Sequence, residues 1–420
     1  MVNAETVKNG GAWSYMAAKR VLAFAVSWRP AIPMQYVDMA CSAIAATKTL
    51  RIHVHLAAVL DVSEWRRQYQ NGLVPDVTPY GFHHAESMGC QVTYSECRRR
   101  SLTQRLLNKL LGFDILHAWR NRAKIAAADI VWTMTENEYL AVLGLRYLAP
   151  GMARPKLIAQ SVWLFDVWDR LTWPRRFLLV RLLRHADVLT VHSEQYLPVI
   201  KRVLPGADVR LLPFGISLDS FPQPRAAQQR RRPPLRILSL GNDLSRDWPT
   251  LLAAFGNDPL FELVVITCRL PAEVLTRYRN LRVPRSPSMP EFRSYYHWAD
   301  FVVIAMTENR YAGITVALEA VAMGAPVISS ATGGVPSYFA PGEVIYVAPG
   351  DPTALRVAAL NCSSDCQREV VARASRRFVQ CGYSTKDMAR RYVELSRELV
   401  GTNKGSCTAA AKASNKTRSR

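Results

Sequence analysis

The sequence predicts an α/β protein of two doubly wound domains, each a parallel sheet covered by helices on both faces. Short apolar runs alternate with helical patterns in the first half of the chain, and the alternation begins again in the second half. Runs that are apolar on both faces are typical of parallel strands buried beneath helices. Residues 222–235, between the halves, are rich in proline, glutamine and arginine and have no apolar periodicity. They therefore predict an exposed linker between two domains.

The predicted elements follow this alternation along the chain. Strands are predicted at 20–27, 51–60, 130–133, 156–160 and 188–191 in the first half, and at 236–240, 261–266, 301–304, 326–329 and 343–347 in the second. Helices are predicted at 34–47, 102–111 and 250–255. The resulting division is an amino-terminal domain at 1–222, a linker at 223–235, a carboxyl-terminal domain at 236–402 with closing helices, and a basic tail at 403–420 that we expect to be disordered.

The charge of the chain restricts its partners. The 420 residues include 54 Lys and Arg against 33 Asp and Glu, a formal charge of +21. Such an excess suits nucleic acid, an anionic membrane surface or an anionic small substrate. Because no helix-turn-helix, zinc-finger, RRM or KH pattern is present, we expect no nucleic-acid partner. Eight irregularly spaced cysteines predict free thiols, and the lack of a signal peptide or a run of ~18–20 apolar residues predicts a cytoplasmic protein.

Two basic segments carry apolar residues at helical spacing. Residues 98–124 place five leucines on one helical face beside Arg105 and Lys109, namely Leu102, Leu106, Leu107, Leu110 and Leu111. Residues 170–184 repeat the pattern and add Trp173 and Phe177. Basic amphipathic helices with Trp or Phe are typical of elements that lie on a membrane surface. The alternative is that both are surface helices whose apolar faces pack on the core.

The loops after the strands of the second half carry residues suited to anion binding. Ligands of doubly wound domains bind beyond the carboxyl ends of the strands, where helix amino termini offer free N–H groups. Gly241 allows a tight turn after residue 240, and Arg246 follows it near a helix start. After residue 304, the run from 312 to 315 predicts the start of a helix that would bind a diphosphate. Glu319, further along that helix, could accept both hydroxyls of a ribose.

These segments resemble the donor-nucleotide motif of GT-B glycosyltransferases, above all the retaining family four (glycosyl transferases group 1). The resemblance rests on Gly313, Leu318-Glu319-Ala320, Gly324-Ala325-Pro326-Val327 and Thr332-Gly333-Gly334, on 241–252 and on an interdomain segment at 213–221. It implies two Rossmann-like domains that face a cleft and transfer sugar from a nucleoside diphosphate sugar to an acceptor. The implied acceptor is a saccharide or lipid-linked saccharide of cell-surface or exopolysaccharide synthesis. No cofactor is implied.

The resemblance also implies roles for individual residues. Glu319 would bind the donor ribose. Backbone N–H groups of Gly313, Ile314 and Thr315 would bind the diphosphate, with Arg246 in the place of the family's lysine. The rest of the implied donor site is Gly241, Asn242, Glu308, Tyr311, Thr332 and Gly333. Two residues depart from the family: Asn242 replaces a common arginine, and Tyr311 replaces the first glutamate of the Glu-x₇-Glu pair. Glu308, three residues upstream, is a candidate to replace that glutamate.

The stereochemistry determines whether a catalytic base is needed. Retaining members of the family need none, because the donor phosphate can take the acceptor proton, and retention is the favoured expectation. An inverting enzyme would need a carboxylate as general base. The candidates are Glu136 and Asp166, which follow strands 130–133 and 156–160, although each could instead be a helix cap. No Asp-x-Asp triplet occurs and His83-His84 reads as a loop pair, so we expect metal-independent transfer and no metal site.

Two other classes of function remain open at this point. A sugar-nucleotide-binding or polyanion-binding protein without catalysis could keep the same fold, and Tyr311 and Asn242 favour it. An epimerase or phosphorylase could also use this scaffold. A phosphorylase would need a lysine that carries pyridoxal phosphate, and no lysine stands in a fitting context.

Overall fold

The computed structural model of the protein describes residues 49–98, 101–222 and 233–416. The strand predicted at 20–27 and the helix predicted at 34–47 lie outside the described residues, as do residues 223–232 of the predicted linker. Within the described ranges the chain forms two parallel six-stranded sheets with helices around them. This architecture confirms the predicted fold class.

The first sheet has the strand order β2-β1-β3-β4-β5-β6. Its strands are β1 (Leu50–Val54), β2 (Cys90–Tyr94), β3 (Ile130–Trp132), β4 (Lys156–Ser161), β5 (Val188–Val191) and β6 (Val209–Leu211). The strand predicted at 51–60 ends at Val54, because Val54 is the last residue paired with both neighbours, Tyr94 and Trp132. The predicted strand is therefore too long at its carboxyl end.

Helices connect these strands and cover the sheet. They are α1 (Val62–Gln70), α2 (Leu102–Leu111), α3 (Ile115–Arg120), α4 (Arg122–Ala127), α5 (Glu136–Leu148), α6 (Trp173–Leu183) and α7 (Leu197–Val203), with 3-10 helices at Pro79–Met88, Trp168–Arg170 and Glu194–Tyr196. α5 begins at a capping box between Thr135 and Glu138, which satisfies N–H groups at the end of β3. That cap fixes the loop at the carboxyl edge of the sheet.

The second sheet has the strand order β12-β11-β10-β7-β8-β9. Its strands are β7 (Leu235–Leu240), β8 (Phe261–Ile266), β9 (Leu281–Arg282), β10 (Phe301–Ile304), β11 (Val327–Ser330) and β12 (Ile345–Val347). Its helices are α8 (Trp248–Phe255), α9 (Ala272–Arg277), α10 (Met289–Trp298), α11 (Ile314–Ala322), α12 (Pro352–Asn361), α13 (Ser364–Cys381) and α14 (Thr385–Lys416), with a 3-10 helix at Val335–Ser337. Strand order reverses at β10 and β7, so the loops after these two strands meet at one crevice.

The last helix, α14, returns to the first domain. The indole N–H of Trp132 in β3 donates a hydrogen bond to Ser396 Oγ at 2.8 Å. The Tyr392 ring packs edge-on against Phe82 and Trp132, with centroid separations of 5.1 Å. One apolar core cluster therefore contains residues of both sheets.

The end of the chain differs from its prediction. α14 continues through Lys416, whereas residues 403–420 were expected to be a disordered tail. Ala409, Ala410 and Ala411 favour helix, because alanine has the highest intrinsic helix propensity. In the part of the chain that the structure describes, no helix is long and apolar enough to cross a bilayer. Six cysteines are free thiols, as expected, namely Cys90, Cys97, Cys268, Cys362, Cys366 and Cys381.

Candidate functional site

The amino terminus of α11 is open to a ligand. Gly313 is its N-cap residue, with φ of +91°, and no side chain caps the helix. A Cβ at Gly313 would lie 2.8 Å from Val335 Cγ2, so a larger residue does not fit without movement. The first N–H groups of an α-helix have no partner within the helix, and the helix dipole makes this end attractive to anions. Glycine here thus keeps both the turn and the backbone N–H groups accessible.

A small pocket lies in front of this helix end, and we call it the α11 pocket. It is lined by the loop after β7 and the first turn of α11, that is by Gly241, Asn242, Asp243, Arg246, Gly313, Ile314, Thr315 and Val316. Six of these residues belong to the predicted donor site. The structure therefore brings together the two segments that sequence reasoning assigned to a diphosphate.

Arg246 is held in the α11 pocket by Asp243. Its Nε donates to Asp243 Oδ2 at 2.7 Å, and both side chains are 4% exposed. Its Nη1 is buried and has no hydrogen-bond partner among the described residues. The guanidinium lies over Gly241, whose φ of +142° and missing side chain leave room for it. One donor of a fixed cation thus remains available, although Asp243 already offsets part of the charge.

A second space, which we call the interdomain cavity, adjoins the α11 pocket at Thr315. It is lined by both domains: Trp65, Pro75, Asp76, Pro79, Tyr80, Phe214, Gly215, Ile216, Ser217, Phe221, Thr315, Glu319 and Thr385. Glu319 is 1% exposed, and its Oε2 accepts a hydrogen bond from the Tyr296 hydroxyl at 2.6 Å. The segment at 213–221 lies between the domains, where Ile216 pairs with Ser384. Anion-binding and hydroxyl-binding groups are thereby placed in adjoining spaces.

The remaining predicted donor residues do not line either space. Tyr311 is buried between the domains, with its ring 6.0 Å from that of His192 and 6.1 Å from that of Tyr196. The N–H groups of Gly333 and Gly334 donate to carbonyls of Asn309 and Ala312, so they are occupied within the protein. Glu308 is exposed, and Thr332 packs beside Asn309. The side chain of Asn242, which does line the α11 pocket, accepts hydrogen bonds from Thr267 and Cys268.

Comparisons with known proteins agree with this geometry. Residues 243–365 match a family model described as "Glycosyl transferases group 1". The match covers less than a third of the chain, all of it in the second domain. Sucrose-phosphate synthase from Thermosynechococcus elongatus superimposes with a TM-score of 0.65 at 19% identity, over 84% of this chain and 100% of that one. The structure of Anabaena HepE in complex with UDP and glucose superimposes with a TM-score of 0.54 at 12% identity, over 83% of this chain and 99% of that one. The protein therefore has the GT-B fold of glycosyltransferases, although no curated protein matches the chain.

Glu136, in the amino-terminal half of the GT-B fold, acts as a cap for the loop after β4. Its Oε1 accepts hydrogen bonds from Ser161 Oγ and from the N–H groups of Val162, Trp163 and Leu164, at 2.6 to 3.0 Å. Burial raises the pKa of this carboxyl, and these hydrogen bonds oppose the rise. Its Oε2 is buried without a hydrogen-bond partner in the described structure. Glu136 therefore anchors this loop, whereas the helix cap of α5 is Thr135.

Asp166 contacts the second domain directly. Arg310, in the loop before α11, donates from Nη1 to Asp166 Oδ1 at 3.2 Å, and the Tyr196 hydroxyl donates to Oδ2 at 2.6 Å. Burial raises the pKa of Asp166 to about 7, against the lowering effect of these two partners. Of the two candidate bases, Asp166 is the one that bonds to the loop leading into α11, through Arg310. Neither candidate lines the α11 pocket or the interdomain cavity.

Sequence reasoning did not find the amino-terminal wall of the interdomain cavity. Asp76, Tyr80 and Trp65 line it, and the Trp65 indole N–H donates to the carbonyl of Asp76. Thr385 joins them from α14 and donates to Asp76 Oδ2 at 2.8 Å. The only local signal is the turn-forming Pro75-Asp76, and nothing in the sequence relates it to Thr385. The contact depends on the return of α14 to the first domain.

An apolar and basic surface lies on the first domain, on α2 and α6. Its apolar residues are largely exposed: Leu102, Leu106, Leu110, Trp173 and Phe177 are 65% to 79% exposed. Leu107 and Leu111 pack on the core instead, so the core-packing alternative holds for only part of α2. The guanidinium of Arg175 lies against Gly112, the C-cap of α2, which links the two helices. We call the exposed face of these helices the α2–α6 surface.

Proposed function

We propose that the protein transfers a sugar from a nucleoside diphosphate sugar to an acceptor. The observation that carries this proposal is the continuity of the α11 pocket and the interdomain cavity at Thr315. A diphosphate at the amino terminus of α11 would leave its nucleoside within reach of Glu319, whose carboxylate suits the ribose hydroxyls. Structures of Anabaena HepE with UDP and with UDP-glucose support a donor of this class.

The chain supplies the charge that a donor diphosphate requires. The free N–H groups of α11 and the unpartnered Nη1 of Arg246 point to one pocket, so they would stabilise negative charge on the leaving diphosphate. In this proposal no metal ion is needed at the diphosphate. Retention at the anomeric carbon is favoured, since neither Glu136 nor Asp166 lines the space next to the α11 pocket. Under inversion, Asp166 would be the base after separation from Arg310.

A donor screen tests the proposal. Thermal unfolding is followed with UDP-, GDP- and ADP-sugars, where a ligand at 100 times its Kd adds about 2.7 kcal/mol of stability. The preferred donor is then incubated with the protein, and release of the nucleoside diphosphate is measured. Stabilisation with release supports a glycosyltransferase. Stabilisation without release, with or without added saccharide acceptors, would favour the non-catalytic binding protein, which the burial of Tyr311 also favours.

We further propose that the acceptor is a lipid-linked saccharide of cell-surface or exopolysaccharide synthesis, and that the protein is cytoplasmic and peripheral at the inner face of the plasma membrane. The α2–α6 surface supports this, because exposed Trp, Phe and Leu beside Arg and Lys match an anionic lipid surface. The surface lies on the first domain, which is also the domain that would bind the acceptor. A donor could then reach the cleft from the solvent while the acceptor stays in the bilayer.

A further inference from the structure

Two histidines lie beside Asp76, which lines the interdomain cavity on its amino-terminal side. Within Pro79–Met88, Tyr80 and Gly81 adopt left-handed conformations, with φ of +62° and +68°, and turn the chain back on itself. The turn brings His83 and His84 beside Asp76. His83 Nδ1 lies 3.7 Å from Asp76 Oδ1, and the two imidazole centroids are 4.1 Å apart. One potential ligand atom from each of the three residues lies within 4.8 Å of the other two.

The charged groups around the three side chains act on a bound cation in opposite directions. The negative charge of Asp219 acts on all three groups, whereas Arg66 and Lys386 act against a cation near His83 and His84.

The surroundings hold two of the three side chains. Thr78 Oγ1 lies 3.2 Å from His83 Nδ1, within hydrogen-bond distance. Asp76 is fixed, since Oδ2 accepts from Thr385 Oγ1 at 2.8 Å and Oδ1 accepts from the N–H of Val77 at 2.8 Å. Carboxylates and imidazoles that bind metals are commonly oriented by such partners. Ligand atoms around a zinc ion stand roughly 3.3 Å apart at bond lengths of about 2.0–2.1 Å. His83 and His84 are only half-buried, so rotation of their side chains, which for His83 gives up the Thr78 contact, can close the remaining gap.

We propose that Asp76, His83 and His84 form a binding site for a divalent transition-metal ion of the zinc type. Imidazole and carboxylate ligands suit Zn²⁺, Co²⁺ and Ni²⁺. Because Asp76 lines the interdomain cavity opposite Thr315 and Glu319, the ion lies on the far wall from the α11 pocket. The site therefore does not serve the donor diphosphate, and it stands whether or not the proposed sugar transfer is correct. It also replaces the sequence-based expectation that His83-His84 is a loop pair without a metal.

Metal titration tests the site directly. The full chain is treated with a chelator and titrated with Co²⁺, whose visible absorption reports imidazole coordination, and with Zn²⁺ by calorimetry. The variants are His83→Ala and His84→Ala, with His297→Ala as control, because His297 is an exposed histidine on α10. We expect one ion per chain in the wild type and in the control, and at least tenfold weaker binding in the other two variants.

Folding is checked separately so that a loss of binding can be interpreted. Without metal, thermal unfolding of His83→Ala and His84→Ala should remain cooperative. Added Zn²⁺ should then raise the Tm of the wild type and of His297→Ala but leave these two variants unchanged. No saturable binding to the wild type, or equal binding by the double variant His83→Ala/His84→Ala, would overturn the proposal.

Discussion

At the scale of single residues, the charged groups of the candidate site are held by partners inside their own domain. Glu319 accepts from the Tyr296 hydroxyl, and Arg246 pairs with Asp243. Buried charges are tolerated when they are paired and hydrogen-bonded, and the pairing also fixes their position. The sequence resemblance identified Glu319 and Arg246 but not their partners. Tyr296 is 23 residues from Glu319 and meets it only through helix packing, whereas Asp243 lies in the same loop as Arg246.

Glu319→Gln should weaken binding of both a nucleoside and its diphosphate. The amide keeps the shape and still accepts from Tyr296, but the ribose loses a charged acceptor, whose hydrogen bonds are worth about 1.5–3 kcal/mol. Calorimetric titrations with the preferred nucleotide and its nucleoside measure the effect. Tyr296→Phe, which keeps the carboxylate of Glu319, should lose less affinity for both ligands. Unchanged affinity of Glu319→Gln for both ligands would exclude a ribose contact.

Arg246→Gln should weaken diphosphate binding by about ten- to hundredfold, since a charge-assisted hydrogen bond of about 1.5–3 kcal/mol is lost. Nucleoside affinity should stay near that of the wild type. Because the single change leaves Asp243 buried without its partner, Asp243→Asn/Arg246→Gln serves as the matched variant. Both are titrated with nucleoside and diphosphate. An equal loss for the two ligands in the double variant would place Arg246 away from the phosphates.

Asp166 should make the protein less stable as pH rises towards 7. Its pKa is about 7 in the folded protein and about 3.9 in an unfolded chain, so the folded state binds the proton more tightly. This contribution to stability is full below the unfolded pKa and is lost as pH rises through the folded pKa. The free energy of unfolding, measured with urea between about pH 5 and pH 8, should fall less steeply with pH in Asp166→Asn than in the wild type. Glu138, with a pKa of about 7, leaves a residual slope of the same sign. An identical slope in both proteins would contradict the burial argument.

At the scale of elements, apolar runs predicted the central strands well because those strands are buried on both faces. β2, β6 and β9 were not predicted. All three lie at sheet edges. β6 and β9 also have only three and two residues, so they carry little apolar signal. The start of α11 was predicted correctly, because a glycine before an apolar helical run marks a turn that few other residues can make.

Gly313→Ala should destabilise the protein by about 1–3 kcal/mol, the usual cost of a non-glycine residue in a strained conformation. The added methyl group would also meet Val335 and Ile304. Gly151→Ala is the control, since a Cβ there meets no atom within 4 Å, and its effect should stay within about 0.5 kcal/mol. Urea denaturation of both variants provides the comparison. Equal stabilities of the two variants would show that α11 does not depend on this glycine.

At the scale of the whole molecule, α14 and the segment at 213–221 join the two domains. Their contacts are separated by up to 309 residues in sequence, as between Asp76 and Thr385. Local patterns carry no information about such pairs, so the sequence did not predict the amino-terminal wall of the interdomain cavity. The residues proposed to bind the donor could be grouped from the sequence because they lie within two short segments, 241–246 and 313–319.

The α2–α6 surface should bind anionic vesicles. Each basic residue near the lipid contributes about 1 kcal/mol, and the attraction should weaken as the Debye length falls from ~10 Å at 0.1 M salt to ~3 Å at 1 M. Co-sedimentation measures binding of the wild type and of Leu106→Glu/Phe177→Glu, which should bind poorly. Val379→Glu, at a valine on α13 that is 78% exposed, should bind like the wild type. Binding that ignores lipid charge and salt would favour a soluble acceptor.

The placement of the donor diphosphate at the amino terminus of α11 is tested most directly by hydrogen exchange. Exchange at the amides of residues 313–316 is measured without ligand, with the nucleoside diphosphate that stabilises the protein most, and with its nucleoside. The diphosphate should slow exchange of these amides, because it accepts hydrogen bonds from N–H groups that have no partner within the helix. The nucleoside alone should not. Saturating diphosphate that leaves their exchange unchanged would contradict the assignment of α11 as the donor-binding element.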